Sequence, residues 1–234
     1  MLYYEKLNKI GIFRRRVMKE KKVTGFDYLW CALYACAGFA LELLLVQIEK
    51  SMGIGIDGYT TMQNIVHFLI TTVLWVGAGF IVILVGKKTT GFKILAIKEK
   101  MKGWQYFAIA ICFVVNLIAK YLDWGGFKPM LELSRLGLPV FIFQYIYYVT
   151  EAFLISLVIV YAQKACETWF KNEKLPYGGI ILGLTWGFAH ILSKGNVLVS
   201  IFACLGAFLF GAAYVFVNKD YRKALPIIIL LFIL

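Results

Sequence analysis

Residues 144–163 read QYIYYVTEAFLISLVIVYAQ, twenty consecutive positions with a single charged side chain, Glu151. A helix of that length covers about 30 Å at ~1.5 Å per residue, the thickness of a bilayer's hydrocarbon core. The apolar residues come as a block and not as a period-two alternation. A transmembrane helix fits the block, and a transmembrane β-strand does not. With its flanks, the stretch predicts a span over 138–163.

Similar blocks lie on both sides. On the N-terminal side, spans are expected at 27–48, 61–86 and 103–121. Glu42 lies inside the first and His67 near the start of the second. A basic, partly apolar stretch, 87–102, is expected to lie in the membrane interface. A loop carrying Gly125, Gly126 and Pro129 follows the third span. On the C-terminal side, spans are expected at 177–193 and 197–217. The apolar tail 225–234 is too short to cross. The fold class is therefore all-α, a polytopic transmembrane helix bundle of about six spans plus a short apolar C-terminal segment. The domain reading is a basic cytoplasmic arm over 1–25 and a single transmembrane domain over 26–234.

Composition agrees. Hydrophobic residues make up 61% of the 234, and the mean hydropathy is +0.77. Soluble domains run at roughly 45–50% apolar. The net charge of +12 sits between apolar blocks, as loop anchors do, and no nucleic-acid-reading motif is present, so a nucleic-acid partner is not expected. The cysteines, Cys31, Cys36, Cys112, Cys166 and Cys204, form no C-x-x-C pair, and most fall inside spans as small hydrophobes. A cleaved signal peptide competes with the first span. However, the apolar run 28–48 is long for one and no small-x-small site follows, so it is expected to be retained.

Orientation follows from the Lys and Arg count. The arm holds eight, 87–102 six, 164–174 three and 219–223 three, which makes twenty in alternate loops. The other loops hold five: Lys50, Lys120, Lys128, Arg135 and Lys194. That split predicts a cytoplasmic N-terminus; the expected location is a bacterial plasma membrane, as an integral protein.

Charged groups in mid-bilayer cost ~2.5–3.5 kcal/mol on insertion scales, so they mark candidate sites. Glu151 is either a hydrogen-bonded group between helices or a base or ion site. Tyr147 and Tyr148 lie one turn before it, where their hydroxyls are expected within reach of its carboxyl. His190, in LTWGFAHILSKGN, stands four residues after Trp186 on the same face of the next span. A carboxylate and an imidazole brought together from consecutive antiparallel spans can activate a water and stabilise an oxyanion.

These residues resemble the CPBP family, the CAAX-processing and bacteriocin-processing intramembrane endopeptidases also called Abi proteins. That family carries Glu-Glu-x-x-x-Arg on one span and Phe-x-x-x-His on the next. A third motif, His-x-x-x-Asn or similar, lies on a later span. The resemblance covers about 138–234. The first motif falls on Glu151, with Ala152 at the second Glu and Ser156 at the Arg. The second falls on Trp186 to His190, with Trp in place of Phe. Gly206, Gly211 and Tyr214 resemble the following glycine-bearing helix. The best register of the third motif puts Leu231 at the His.

The resemblance implies that Glu151 activates water and that His190 holds the water or the developing oxyanion, with Tyr147, Tyr148 and Trp186 lining the substrate. It implies substrates among membrane-associated peptides or prenylated proteins, alongside membrane lipid as a partner. Two other functions fit the residues. One is an inactive pseudopeptidase serving as an immunity or scaffold protein. The other is a transporter with Glu151 as its proton site. No cofactor is expected. No metal is expected either, because a catalytic zinc wants three protein ligands and nothing in the sequence places His67 beside Glu151 and His190.

Overall fold

Lipid offers a backbone no hydrogen-bond partners, so the apolar blocks satisfy themselves as helices. A computed structural model describes residues 22–55 and 57–234, with the side chains of Ser193 and Lys194 left aside. All regular structure among the described residues is helical: α1 Gly25–Ser51, α2 Thr61–Thr90, α3 Gly103–Trp124, α4 Lys128–Phe170, α5 177–194, α6 Val197–Phe216 and α7 Tyr221–Ile233. Most of the expected basic arm, residues 1–21, lies outside the described residues. Polar caps fix several starts. Thr60 and Gln63 cap α2 reciprocally, Asn196 accepts from Leu198 N, and Asp220 accepts from Arg222 N.

Among the described residues five helices, α1, α2, α3, α4 and α6, are long and apolar enough to cross a membrane, so the chain is an integral membrane helix bundle. The sixth expected span, in α5, is a shorter apolar helix over Tyr177–Leu192, about 24 Å at the usual helical rise. The hub is α4. Its apolar window is 61% buried, against 22–28% for α1 to α3. Side-chain pairs set the directions. Gly38 meets Leu154 and Tyr147 bonds Glu42, so α1 runs antiparallel to α4. Phe68 meets Tyr147 and Gly86 meets Tyr161, so α2 runs parallel to it. Gly178 meets Ile159 and Trp186 bonds Glu151, so α5 is antiparallel to it, and Tyr221 meets Ser156 while Phe232 meets Tyr148, so α7 is too.

The fourth span corrects the sequence reading. Pro129 is not in a loop, because the helix begins at Lys128 and breaks at Gly137, with φ 74° and ψ 159°. Essentially only glycine adopts that conformation. The segment 128–136 folds back along the following turns, so that Glu132 hydrogen-bonds Gln144, Tyr145 and Tyr148.

The helices α5 and α6 touch backbone to backbone. A Cβ on Gly211 would stand 2.4 Å from Gly179 N, and one on Gly187 would stand 2.8 Å from Cys204 Sγ. Gly179, Gly183 and Gly187 recur every fourth residue, the small-residue pattern that lets membrane helices approach closely. Residues Gly183–Gly187 form a π turn. Hydroxyl and thiol groups of α6 satisfy its carbonyls: Ser200 Oγ donates to Gly187 O at 2.7 Å and Cys204 Sγ to Gly183 O at 3.4 Å.

Among the described residues, the basic loops 87–102, 164–174 and 219–223 meet at one end. Asn218 bridges Gln105 and the Lys100 carbonyl, and Arg222 donates to the carbonyls of Leu95 and Ile97. From that end α7 runs into the bundle over 13 residues, about 20 Å at the usual rise. Two of its carbonyls, those of Leu231 and Phe232, are taken by α3. Asn116 donates to Leu231 O at 2.7 Å, and Lys120 donates to Leu231 O at 2.9 Å and to Phe232 O.

Candidate functional site

Glu151 faces α5. Trp186, within the π turn, donates its indole Nε1–H to Glu151 Oε1 at 3.1 Å. One turn later, His190 Nδ1 lies 2.9 Å from the Trp186 carbonyl oxygen, and the two rings stand 4.4 Å apart edge to face. A carbonyl only accepts, so Nδ1 carries a proton and donates it. In the neutral ring Nε2 is then the acceptor. Trp186 therefore ties the two expected catalytic residues together: its side chain holds the carboxylate and its main chain holds the imidazole. Such π turns recur at functional sites, and this one re-aims the face that carries Trp186.

Glu151, Trp186 and His190 line one cavity of about 1230 Å³, together with Tyr147 and Tyr148. The expected bonds from the two tyrosines to Glu151 are not made. Tyr147 OH donates to both oxygens of Glu42, at 3.0 and 3.1 Å. Tyr148 OH donates to Glu132 Oε1 at 2.7 Å. Helical side chains lean toward the N-terminus of their helix, so a tyrosine three or four residues before Glu151 aims away from it.

The charges that sequence reading assigned to loops also belong here. Lys120, Lys128 and Arg135 line the cavity, with Glu42 and Asp123. Their signal in the sequence was only a position near span ends, which solvated anchors share. His67 stands on the far side of Glu42, bridging two carboxylates: Nε2 lies 3.4 Å from Glu42 Oε1 and Nδ1 lies 2.9 Å from Glu49 Oε2. Tyr59, in the loop before α2, donates to Glu49 at 2.6 Å. Burial and that bond push its hydroxyl up to about 12.

The positions at which the family's pattern is missing are packed. Ala152 and Ser156 are fully buried, and Ser156 Oγ shares a 2.8 Å hydrogen bond with Tyr221 OH of α7. Leu231 is also fully buried. No group of three or more His, Cys, Asp or Glu side chains is arranged to hold a metal ion among the described residues. A smaller cavity of about 550 Å³ lies at the basic end, between Trp104, Lys164, Glu173 and Lys219, away from Glu151. Compared with protein-family models, with curated proteins and with solved structures, the chain matches none of them.

Proposed function

We propose that the chain is a CPBP-like intramembrane endopeptidase acting on membrane-associated peptides or prenylated proteins. One observation carries this reading: Glu151 and His190 line the same cavity, and Trp186 fixes both of them. Two acceptors suit one water, with one O–H pointing to the Glu151 carboxylate and the other to His190 Nε2. Glu151 takes a proton as the water oxygen bonds to the substrate carbonyl carbon, and the carbonyl electron pair moves onto oxygen. The carbonyl re-forms, the C–N bond breaks, and Glu151 returns the proton to the leaving amine. In this reading the basic end faces the cytoplasm of a bacterial plasma membrane, because positive loops stay inside.

The test compares wild type, Glu151→Gln, His190→Ala and the double variant, all shown to be folded, for peptide cleavage in detergent. Groups that act on one water lose nearly as much singly as together. A folded Glu151→Gln protein with full cleavage overturns the assignment. A second reading, the pseudopeptidase, is favoured by the packed Ala152, Ser156 and Leu231. It requires a wild type that cleaves nothing and variants that keep their biological effect.

A further inference from the structure

Lys128, the first residue of α4, is only 6% exposed. The fold-back at Gly137 sets its Nζ 4.2 Å from the ring centroid of Tyr148, 5.6 Å from Trp124 and 5.5 Å from Phe232. Residues of α3, α4 and α7 thus enclose it. Among the described residues, Nζ makes no hydrogen bond and has no carboxylate within ion-pair distance. Glu132, Glu151 and Asp123 reach it only through their field. Tyrosine and glutamine donors engage Glu132, and Trp186 engages Glu151. Asp123 is only part-buried.

An aromatic face is worth ~0.5–2 kcal/mol to a cation. Taking an ammonium out of water costs several kcal/mol. The three rings therefore orient Lys128 but do not replace an anion. Lys120, beside it, is committed to the carbonyls of Leu231 and Phe232. Lys128 lines the large cavity, whose lining also includes the exposed apolar side chains of Leu43 and Leu192, at 67% and 90% exposure. An apolar way in from lipid that leads to a buried, unpaired cation complements an amphiphile with an anionic head.

We propose that this cavity binds an anionic phospholipid, with the phosphate on Lys128 and an acyl chain passing Leu43 and Leu192. The site does not depend on hydrolysis at Glu151, and a protein with no cleavage activity would bind the lipid equally well.

The test is native mass spectrometry of the full chain in mixed micelles of phosphatidylglycerol and phosphatidylcholine. The wild type retains phosphatidylglycerol over phosphatidylcholine. Lys128→Met keeps the stem between the three rings and removes the charge. It reduces that preference roughly ten- to hundredfold, the span of one charge-assisted hydrogen bond. Lys50→Met, at an exposed site on the same side, leaves the preference unchanged and controls for surface attraction. Equal retention by Lys128→Met, or no preference in the wild type, overturns the proposal. If Lys128→Met does not fold, Lys128→Arg must keep the preference and the wild-type comparison still decides. Inorganic phosphate or a peptide carboxylate that displaces the lipid without its acyl chains would make the site a soluble-anion site, and the lipid assignment would fail.

Discussion

Trp186 holds Glu151 through its side chain and His190 through its backbone, so an indole on α5 links a carboxylate on α4 to an imidazole one turn further along. Trp186→Phe removes the N–H and keeps a ring against His190. The bond to a carboxylate is worth about 0.5–2 kcal/mol within a membrane protein. Chemical denaturation in micelles should show a loss of that size, and cleavage, where present, should fall in kcat more than in KM. An unchanged stability would mean that the bond contributes nothing in the bilayer.

The charge split makes a topological prediction. Single cysteines replacing Lys93 and Lys171 should be labelled from the cytoplasmic side, and one replacing Lys50 from the outside. Lys128 is unsuitable as a reporter because it is buried. Labelling of Lys171 and Lys50 positions from the same side would break the alternation.

Helix contact predicts a sharp contrast between glycines. Gly211→Val places its Cβ 2.4 Å from Gly179 N. It must separate α5 from α6 and should cost about 1–3 kcal/mol or more, as overpacking does. A Cβ on Gly77 meets nothing within 4 Å, so Gly77→Ala should be neutral or slightly stabilising. Thermal unfolding of the two variants in one detergent makes the comparison.

At the basic end, Lys219 Nζ donates to Glu167 at 3.0 Å and to Glu173 at 2.6 Å. Its hydrogen bond to Lys219 holds the Glu173 carboxyl below its ordinary 4.5. Burial alone would lower the Lys219 ammonium, but its bonds to Glu173 and Glu167 outweigh that and hold it above 10.5. The Glu173 contribution is present above its unfolded value and is lost as pH falls through the lower folded one. The Lys219 contribution is present below its unfolded value and is lost as pH rises through the higher folded one. The stability gap between wild type and Lys219→Gln should therefore be flat from about pH 5 to about pH 10 and close on either side. A gap that changes steadily near neutral pH would contradict this pairing.

Introducing the missing residues of the CPBP pattern should fail. Ala152→Glu with Ser156→Arg places two charges at fully buried positions and breaks the bond from Ser156 to Tyr221. Buried charges without prepared partners cost several kcal/mol. Gel filtration of the double variant should show little folded protein. A folded variant that gains cleavage would show instead that this core adapts.

The helical membrane bundle was legible in the sequence because lipid allows a chain few choices, an apolar run of about twenty residues being a helix; of the six spans expected, five are helices long and apolar enough to cross, and the one in α5 is a shorter apolar helix. Glu151 and His190 were legible as a pair because a charge and an imidazole inside apolar blocks stand out against their neighbours. Tertiary structure alone decided which carboxylates the tyrosines meet, since Glu42 and Glu132 come from other segments and the N-terminal lean of helical side chains turns Tyr147 and Tyr148 away from Glu151. It also decided the fate of Lys120 and Lys128. Near a span end, a lysine reads the same whether it is solvated or folded inward. A glycine break at Gly137 and the packing of α7 against α3 turned these two into cavity residues. Hydropathy reports how much of a segment avoids water, but not which way a short helix folds back.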